Sequence, residues 1–169
     1  GEILFRTRLS ENLFKGLSPW MQKLPGGLIQ VNVVGCALFA AISGSSAATV
    51  ATVGKMSIPE LRKRKYPEKI LLGSLAGSGT LGLLIPPSII LIIYGVAVQE
   101  SIAKLFIAGI IPGIMIALIF MSYVIIWSLI NKKDMPKILE NYSFLEKIKR
   151  SKQLLPVILL IFSVIGSIY

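Results

Sequence analysis

The chain has 169 residues, 54% of them hydrophobic, and a formal net charge of +10 at pH 7. Its mean hydropathy of +0.76 is too high for an ordinary soluble domain and indicates a membrane protein. One cysteine and no histidine exclude a disulfide framework, and they exclude a zinc or haem site of the usual ligand spacing.

The positive charge is concentrated beside apolar runs. Of 18 Lys and Arg residues, four lie within residues 1–23, six within 55–69 and seven within 131–152. The positive-inside rule places such clusters on the cytoplasmic face, against an anionic leaflet. The basic residues therefore indicate a lipid bilayer as their partner and no nucleic acid. We interpret residues 1–24 as an amphipathic or connecting segment on the cytoplasmic side.

Residues 24–54 lie between two of these clusters, so both ends of the segment are predicted to be cytoplasmic. The segment has 31 residues, whereas two full crossings need ~40 residues at ~20 each. One crossing would leave its ends on opposite faces. The remaining solution is a re-entrant helical hairpin, which we assign to residues 25–58.

The sequence AAISGSSAATVATVG, residues 40–54, offers a tip for this hairpin. Glycine and small hydroxyl residues suit a turn at membrane depth, where freed backbone groups need partners. The same residue types also allow close packing of transmembrane helices. The crossing count favours a binding site, with candidate residues Ser43, Gly44, Ser45, Ser46 and Thr49.

A broken transmembrane helix is predicted over residues 68–98. Three glycines and two prolines interrupt the run GSGTLGLLIPPSIILIIYG, where a single kinked helix is the alternative. We expect an unwound segment at 79–87 and a second half-helix that starts at Pro87 or Ser88. Unwound carbonyls can bind a cation, and the second N-terminus can face an anion. The candidate residues are Gly77, Ser78, Gly79, Thr80, Gly82, Pro86, Pro87 and Ser88.

Three further segments follow. Residues 104–131 form a long apolar run that predicts a transmembrane helix. Residues 132–152 carry apolar side chains at spacings of three or four from Met135 to Leu145, which favours an amphipathic helix at the interface over a soluble connecting loop. Residues 153–169 read as the start of another transmembrane helix. Since residue 1 is not methionine and this last run stops with the chain, we expect a piece of a longer protein.

Residues 24–54, 70–99 and 105–130, the apolar parts of the predicted spans, carry no Asp, Glu, Lys or Arg. This pattern argues against a proton relay, and it favours sodium held by hydroxyl and carbonyl oxygens. An enzyme is not indicated, because the serines lack a membrane-depth base. A channel-like pore protein with a re-entrant loop is the alternative function, and a purely structural subunit is a third.

The stretches SGSSAATV and GTLGLLIPPS, in this order and spacing, closely resemble the large membrane subunit of tripartite ATP-independent periplasmic (TRAP) transporters. The resemblance runs from about residue 26 to 129 and implies an all-α fold that is one half of an inverted-repeat elevator transporter. It implies a multi-pass protein of the bacterial or archaeal inner membrane that uses sodium influx to import small organic anions, often C4-dicarboxylates or sialic acids. The expected partners are a small membrane subunit and a periplasmic substrate-binding protein.

The same resemblance assigns the site. Residues 43–49 would form the hairpin tip and residues 77–87 the helix break, jointly a sodium site with the substrate alongside. The expected sodium ligands are Ser43, Ser45, Gly79 and Gly82, and no other cofactor is expected. The helix over residues 105–130 would lead through residues 132–152 to a static scaffold.

Overall fold

A computed structural model describes residues 9–136 and 143–166 of the chain. These residues form α-helices and short 3₁₀ turns and contain no β-strand, so the all-α prediction is confirmed for the described part. Residues 1–8, 137–142 and 167–169, which belong to three of the predicted segments, lie outside the described residues. The helices are α1 (Leu9–Met21), α2 (Gln30–Ser43), α3 (Ser46–Lys63), α4 (Glu68–Gly79), α5 (Ile89–Val98), α6 (Ile102–Ile130), α7 (Phe144–Ser151) and α8 (Leu155–Gly166).

Helices α2 and α3 form an antiparallel hairpin that packs against α4. A buried apolar cluster joins the three helices. It contains Cys36 and Phe39 of α2, Val53 of α3 and Leu75 of α4. Polar side chains tie the same helices together, because the Asn32 amide donates to the Leu71 carbonyl at 3.2 Å. Helix α3 ends at Lys63, five residues beyond the predicted boundary of the hairpin. That the hairpin is re-entrant in a membrane stays a prediction.

The base of the hairpin is held by a tyrosine from the α3–α4 connection. The Leu28 N–H donates to the Tyr66 hydroxyl at 3.1 Å, next to the two glycines where the chain turns into α2. Gly27 leaves room for this hydroxyl, since a Cβ there would lie 2.5 Å from it. The connection and the start of the hairpin therefore form one packed unit.

Helix α6 is the one helix of the described residues that is long and apolar enough to cross a membrane. Its 29 residues span ~43 Å, more than a ~30 Å hydrocarbon core. It packs across α4 and α2, where Val124 belongs to one buried cluster with Ile29, Val33 and Ile70. Helix α5 lies along its N-terminal half.

The segment after α6 differs from the sequence-based expectation. Residues 131–134 form a turn closed by the Asp134 N–H and the Asn131 carbonyl at 3.1 Å, where the apolar spacing predicts helix. Pro136 disfavours helical geometry at Met135, and the next helix of the described residues starts at Phe144, where Ser143 and Glu146 form a capping box. The predicted face residues Ile138, Leu139 and Tyr142 lie outside the described residues.

Candidate functional site

The hairpin tip reverses the chain within two residues. Gly44 adopts a left-handed conformation with φ of 59°, and its N–H closes α2 by donating to the Ala40 carbonyl at 3.0 Å. Ser45 is extended, and its hydroxyl accepts the Ala48 N–H at 3.4 Å as the N-cap of α3. Glycine tolerates the left-handed conformation and serine is a preferred N-cap, so this Gly-Ser pair codes the turn locally.

Three oxygen-bearing residues converge inside the tip. The Ser43 and Thr49 hydroxyl oxygens are 2.8 Å apart. Both hydroxyls also lie within hydrogen-bond distance of the Ser45 carbonyl, at 3.2 Å from Ser43 and 2.7 Å from Thr49. Thr49 is fully buried. The tip is thus a compact cluster of neutral oxygens with lone pairs.

The helix that faces the tip is interrupted between α4 and α5. Thr80–Leu83 forms a 3₁₀ turn after Gly79, and α5 starts at Ile89. The segment expected to be unwound at 79–87 is therefore partly helical, and regular structure is absent at residues 84–88. The restart lies beyond the expected Pro87 or Ser88, because Ser88 is extended and its hydroxyl donates back to the Leu83 carbonyl at 2.6 Å. The peptide bond between Pro86 and Pro87 is cis.

Tip and interruption are in direct backbone contact. The Ile89 N–H donates to the Gly44 carbonyl at 3.3 Å. A Cβ on Gly82 would lie 2.8 Å from the Ser46 backbone nitrogen, and a Cβ on Gly44 would collide with the Pro87 carbonyl. Both contacts require residues without a side chain. The structure therefore brings the two predicted halves of the site together.

Two residues that the sequence predicts to belong to the site, Gly77 and Ser78, face other helices. The Ser78 hydroxyl is 3.4 Å from the carbonyl of Asn32 on α2 and bonds back to the Ser74 carbonyl. A Cβ on Gly77 would lie 3.1 Å from the Phe120 ring of α6. Thr80 is exposed and donates to the Gly77 carbonyl at 2.7 Å. In this structure Ser78 and Gly77 contact α2 and α6 rather than the tip.

Two glycines of α6 complete the surroundings of the interruption, and the motif search on the sequence missed them. A Cβ on Gly109 would lie 3.0 Å from the Leu84 carbonyl oxygen, and one on Gly113 would lie 3.0 Å from the Ile85 side chain. The four-residue spacing of these glycines could have indicated a close contact with another segment, because small residues at this spacing let helices approach closely.

The site offers oxygen acceptors and no charge. Among the described residues, no hydrogen bond ends on the carbonyls of Leu84, Ile85, Pro86 or Pro87. Residues 70–99 and 24–54 contain no Asp, Glu, Lys or Arg. Neutral hydroxyl and carbonyl oxygens are the ligands that suit a hard cation such as sodium.

Comparison with known proteins gives a consistent family match. The family model "Tripartite ATP-independent periplasmic transporter, DctM component" matches residues 1–169. The C4-dicarboxylate TRAP transporter large permease protein DctM of Pseudomonas aeruginosa is 41% identical over 144 residues, which are 85% of this chain and 33% of that protein.

Two relatives carry other substrates in their names. The sialic acid TRAP transporter permease protein SiaT of Haemophilus influenzae is 41% identical over 114 residues, which are 68% of this chain and 18% of that protein. The isethionate TRAP transporter permease protein DctMQ of Oleidesulfovibrio alaskensis is 41% identical over 115 residues, again 68% of this chain and 18% of that protein. The chain thus spans a third or less of the length of these relatives.

Proposed function

This chain belongs to the family of the DctM component of tripartite ATP-independent periplasmic transporters, and on that premise we propose that it supplies one half of the sodium and substrate site of an inner-membrane permease. The observation that carries the proposal is the backbone contact between the Ser43–Thr49 cluster and the interruption at Gly82. Neither part alone surrounds an ion, whereas together they offer oxygens from two directions.

Sodium is the cation that fits this chemistry. The Ser43 and Thr49 hydroxyls and the Ser45 carbonyl all lie within 3.2 Å of one another. Such neutral oxygens are ligands that suit a hard cation. Ser43, Ser45, Gly79 and Gly82 are our candidate ligand residues. No acidic side chain is available for a proton relay in this part of the chain.

The substrate is proposed to be a small organic anion beside the sodium. Helix α5 begins at Ile89 in contact with the tip, and the N-terminal end of a helix favours negative charge. The names of the relatives include C4-dicarboxylate, sialic acid and isethionate, which are all anionic at neutral pH.

The transport cycle is proposed to move the hairpin and the broken helix together. Their backbones interlock at Gly44 and Gly82, so the two cannot slide past each other without breaking the site. An elevator movement of this unit across the bilayer keeps the site intact. A periplasmic binding protein would deliver the substrate, and a small membrane subunit would brace the static part.

The test is uptake into proteoliposomes by the full-length permease with its small subunit and binding protein. Thr49→Val keeps the side-chain volume but removes the hydroxyl that lies 2.8 Å from the hydroxyl of the proposed ligand Ser43. We expect the sodium concentration for half-maximal uptake to rise at least ten-fold. Thr52→Val is the matched control, because Thr52 is also buried on α3 but lies one turn beyond the cluster.

Two outcomes would contradict the proposal. Unchanged sodium dependence in a folded Thr49→Val protein would remove the tip from the ion site. Flux that does not saturate and does not need the binding protein would favour the channel-like alternative.

A further inference from the structure

An apolar groove of about 270 Å³ lies between α4 and α6, away from the hairpin tip. Its walls include Ile119, Phe120, Tyr123 and Val124 of α6. On α4 the wall is formed at Gly73, where a Cβ would have no atom within 4 Å. The groove is therefore open space that the described residues do not fill.

The groove lies near the cytoplasmic ends of both helices. Gly73 is five residues after Glu68, the first residue of α4, which corresponds to ~8 Å along the axis. Val124 is six residues before Ile130, the last residue of α6, which corresponds to ~9 Å. Both ends adjoin basic clusters that are predicted to face the cytoplasm. In that orientation, the groove would lie at the depth of the first lipid methylenes below the headgroups of that leaflet.

The rim of the groove is cationic. Lys69 precedes Gly73 by four residues, which places it on the same face of α4. Lys132 and Lys133 follow the end of α6, and all three lysines are exposed. The two rims border one apolar cluster, which contains Ile70, adjacent to Lys69, and Met135, two residues after Lys133. The nearby carboxylates are Asp134 and Glu68, and Glu68 already pairs with Arg62 at 2.7 Å.

The lining of the groove indicates the kind of occupant. A single acyl chain is fully apolar, and the walls of the groove are almost wholly apolar. Tyr66 and Trp127 border the same cluster, and such amphipathic rings are typical of the headgroup level.

We propose that the groove binds one acyl chain of an anionic phospholipid of the cytoplasmic leaflet, with the phosphate against Lys69, Lys132 and Lys133. The charge of the rim selects an anionic headgroup, and the apolar walls hold the chain. The inference does not depend on the sodium site, which lies at the other end of α4. Failure of either proposal therefore leaves the other standing.

The test uses the full-length permease with its small subunit in phosphatidylcholine vesicles that contain phosphatidylglycerol with a photoreactive acyl chain. After illumination, mass spectrometry locates the lipid adducts. We expect adducts on the segments around residues 73 and 119–124, with competition by unlabelled phosphatidylglycerol and little by phosphatidylcholine. Gly73→Leu should fill the open space and reduce these adducts at least ten-fold.

Gly166→Leu is the matched control, because a Cβ at Gly166 on α8 also meets nothing within 4 Å. It should leave the adducts unchanged. Replacing Lys69, Lys132 and Lys133 by Gln should lower the preference for phosphatidylglycerol about five-fold for each lysine removed.

Absence of adducts on these segments in the folded wild-type protein would overturn the proposal, and so would equal labelling by both lipids. A photoreactive residue at position 73 that cross-links to another part of the permease or to the small subunit would also overturn it, because protein would then cover the groove. The wild-type measurements decide the matter if Gly73→Leu does not fold.

Discussion

At the scale of single residues, the site depends on positions where a side chain is excluded. Gly44, Gly79 and Gly82 each face a neighbour at a distance that a methyl group could not occupy. The partners are the Pro87 carbonyl, the Val50 side chain and the Ser45–Ser46 peptide. Two of these three neighbours are backbone, which cannot rotate away.

Gly82→Ala is the sharpest probe of this contact. The added methyl group would meet the Ser46 nitrogen and the Ser45 carbonyl at 2.8 to 2.9 Å, so the tip and the interruption must separate. We expect at least a hundred-fold loss of sodium-driven uptake, with membrane insertion retained because alanine is apolar. Gly166→Ala, in open space, should transport like the wild type. Normal uptake by Gly82→Ala would show that the two backbones need not touch.

Tyr66 provides a pH-dependent test outside the membrane-spanning segments. Burial raises the pKa of its hydroxyl above the usual value, and the Leu28 N–H and the Arg64 charge oppose this shift. A raised folded-state pKa means that the unfolded state ionises first, so stability is lost as pH rises from about 10. The wild type should therefore lose stability in this range more steeply than Tyr66→Phe.

Tyr66→Phe should also cost about 1 kcal/mol at neutral pH, because the Leu28 N–H loses its partner. Thermal unfolding of the detergent-solubilised full-length protein at pH 7 and above pH 10 measures both effects. Parallel pH profiles for the two proteins would contradict the assignment.

At the scale of elements, α1 and α7 are joined by a local contact that the sequence pattern did not indicate. The indole N–H of Trp20 donates to the Ser151 hydroxyl at 2.9 Å, and the Lys147 ammonium lies 5.4 Å from the centre of the same ring. This contact ties the segment after α6 to the first described helix. A short amphipathic helix is thereby held in place at one end of the bundle.

Removing the indole should loosen α7 selectively. We expect Trp20→Ala to raise the rate of hydrogen exchange in α7 about five-fold, which corresponds to the ~1 kcal/mol typical of one hydrogen bond and a surface cation–π contact. Exchange in the α2–α3 hairpin should not change. Lys149→Ala, on α7 but without contact to the ring, is the control. If both variants behave alike, the indole does not anchor the helix.

At the scale of the whole molecule, much of the exposed apolar surface of the described residues lies on α5 and α6. Ile93 is 63% exposed and Ile111 is 76% exposed. Such a large apolar face requires lipid or protein against it. The family membership and the length of α6 make a membrane the expected environment, although the number of crossings stays a prediction.

Cysteine labelling tests the topology. Single cysteines at Arg64 and Lys133, in a background without Cys36, should react with a membrane-impermeant maleimide only after the cytoplasmic side is made accessible. A cysteine at Glu100, in the short turn between α5 and α6, should react from the outside. Labelling of position 64 or 133 from the outside would contradict the crossing count, and with it the re-entrant hairpin.

The sequence by itself determined the local features of the site. The Gly44–Ser45 pair codes a left-handed turn and an N-cap, and Pro86 and Pro87 cannot continue a helix, so both interruptions follow from the chemistry of neighbouring residues. The family resemblance rested on the same two stretches.

Only the tertiary structure decided which of these residues meet. Gly82 faces the tip and Gly77 faces α6, although both lie in the same glycine-rich run. The 3₁₀ turn at Thr80–Leu83 contributes to the rotation between these two positions. The role of Tyr66 was equally hidden, and the spacing of Gly109 and Gly113 indicates close packing without identifying the segment that they contact. Contacts between segments far apart in the chain are fixed by packing geometry, and no local pattern carries that information.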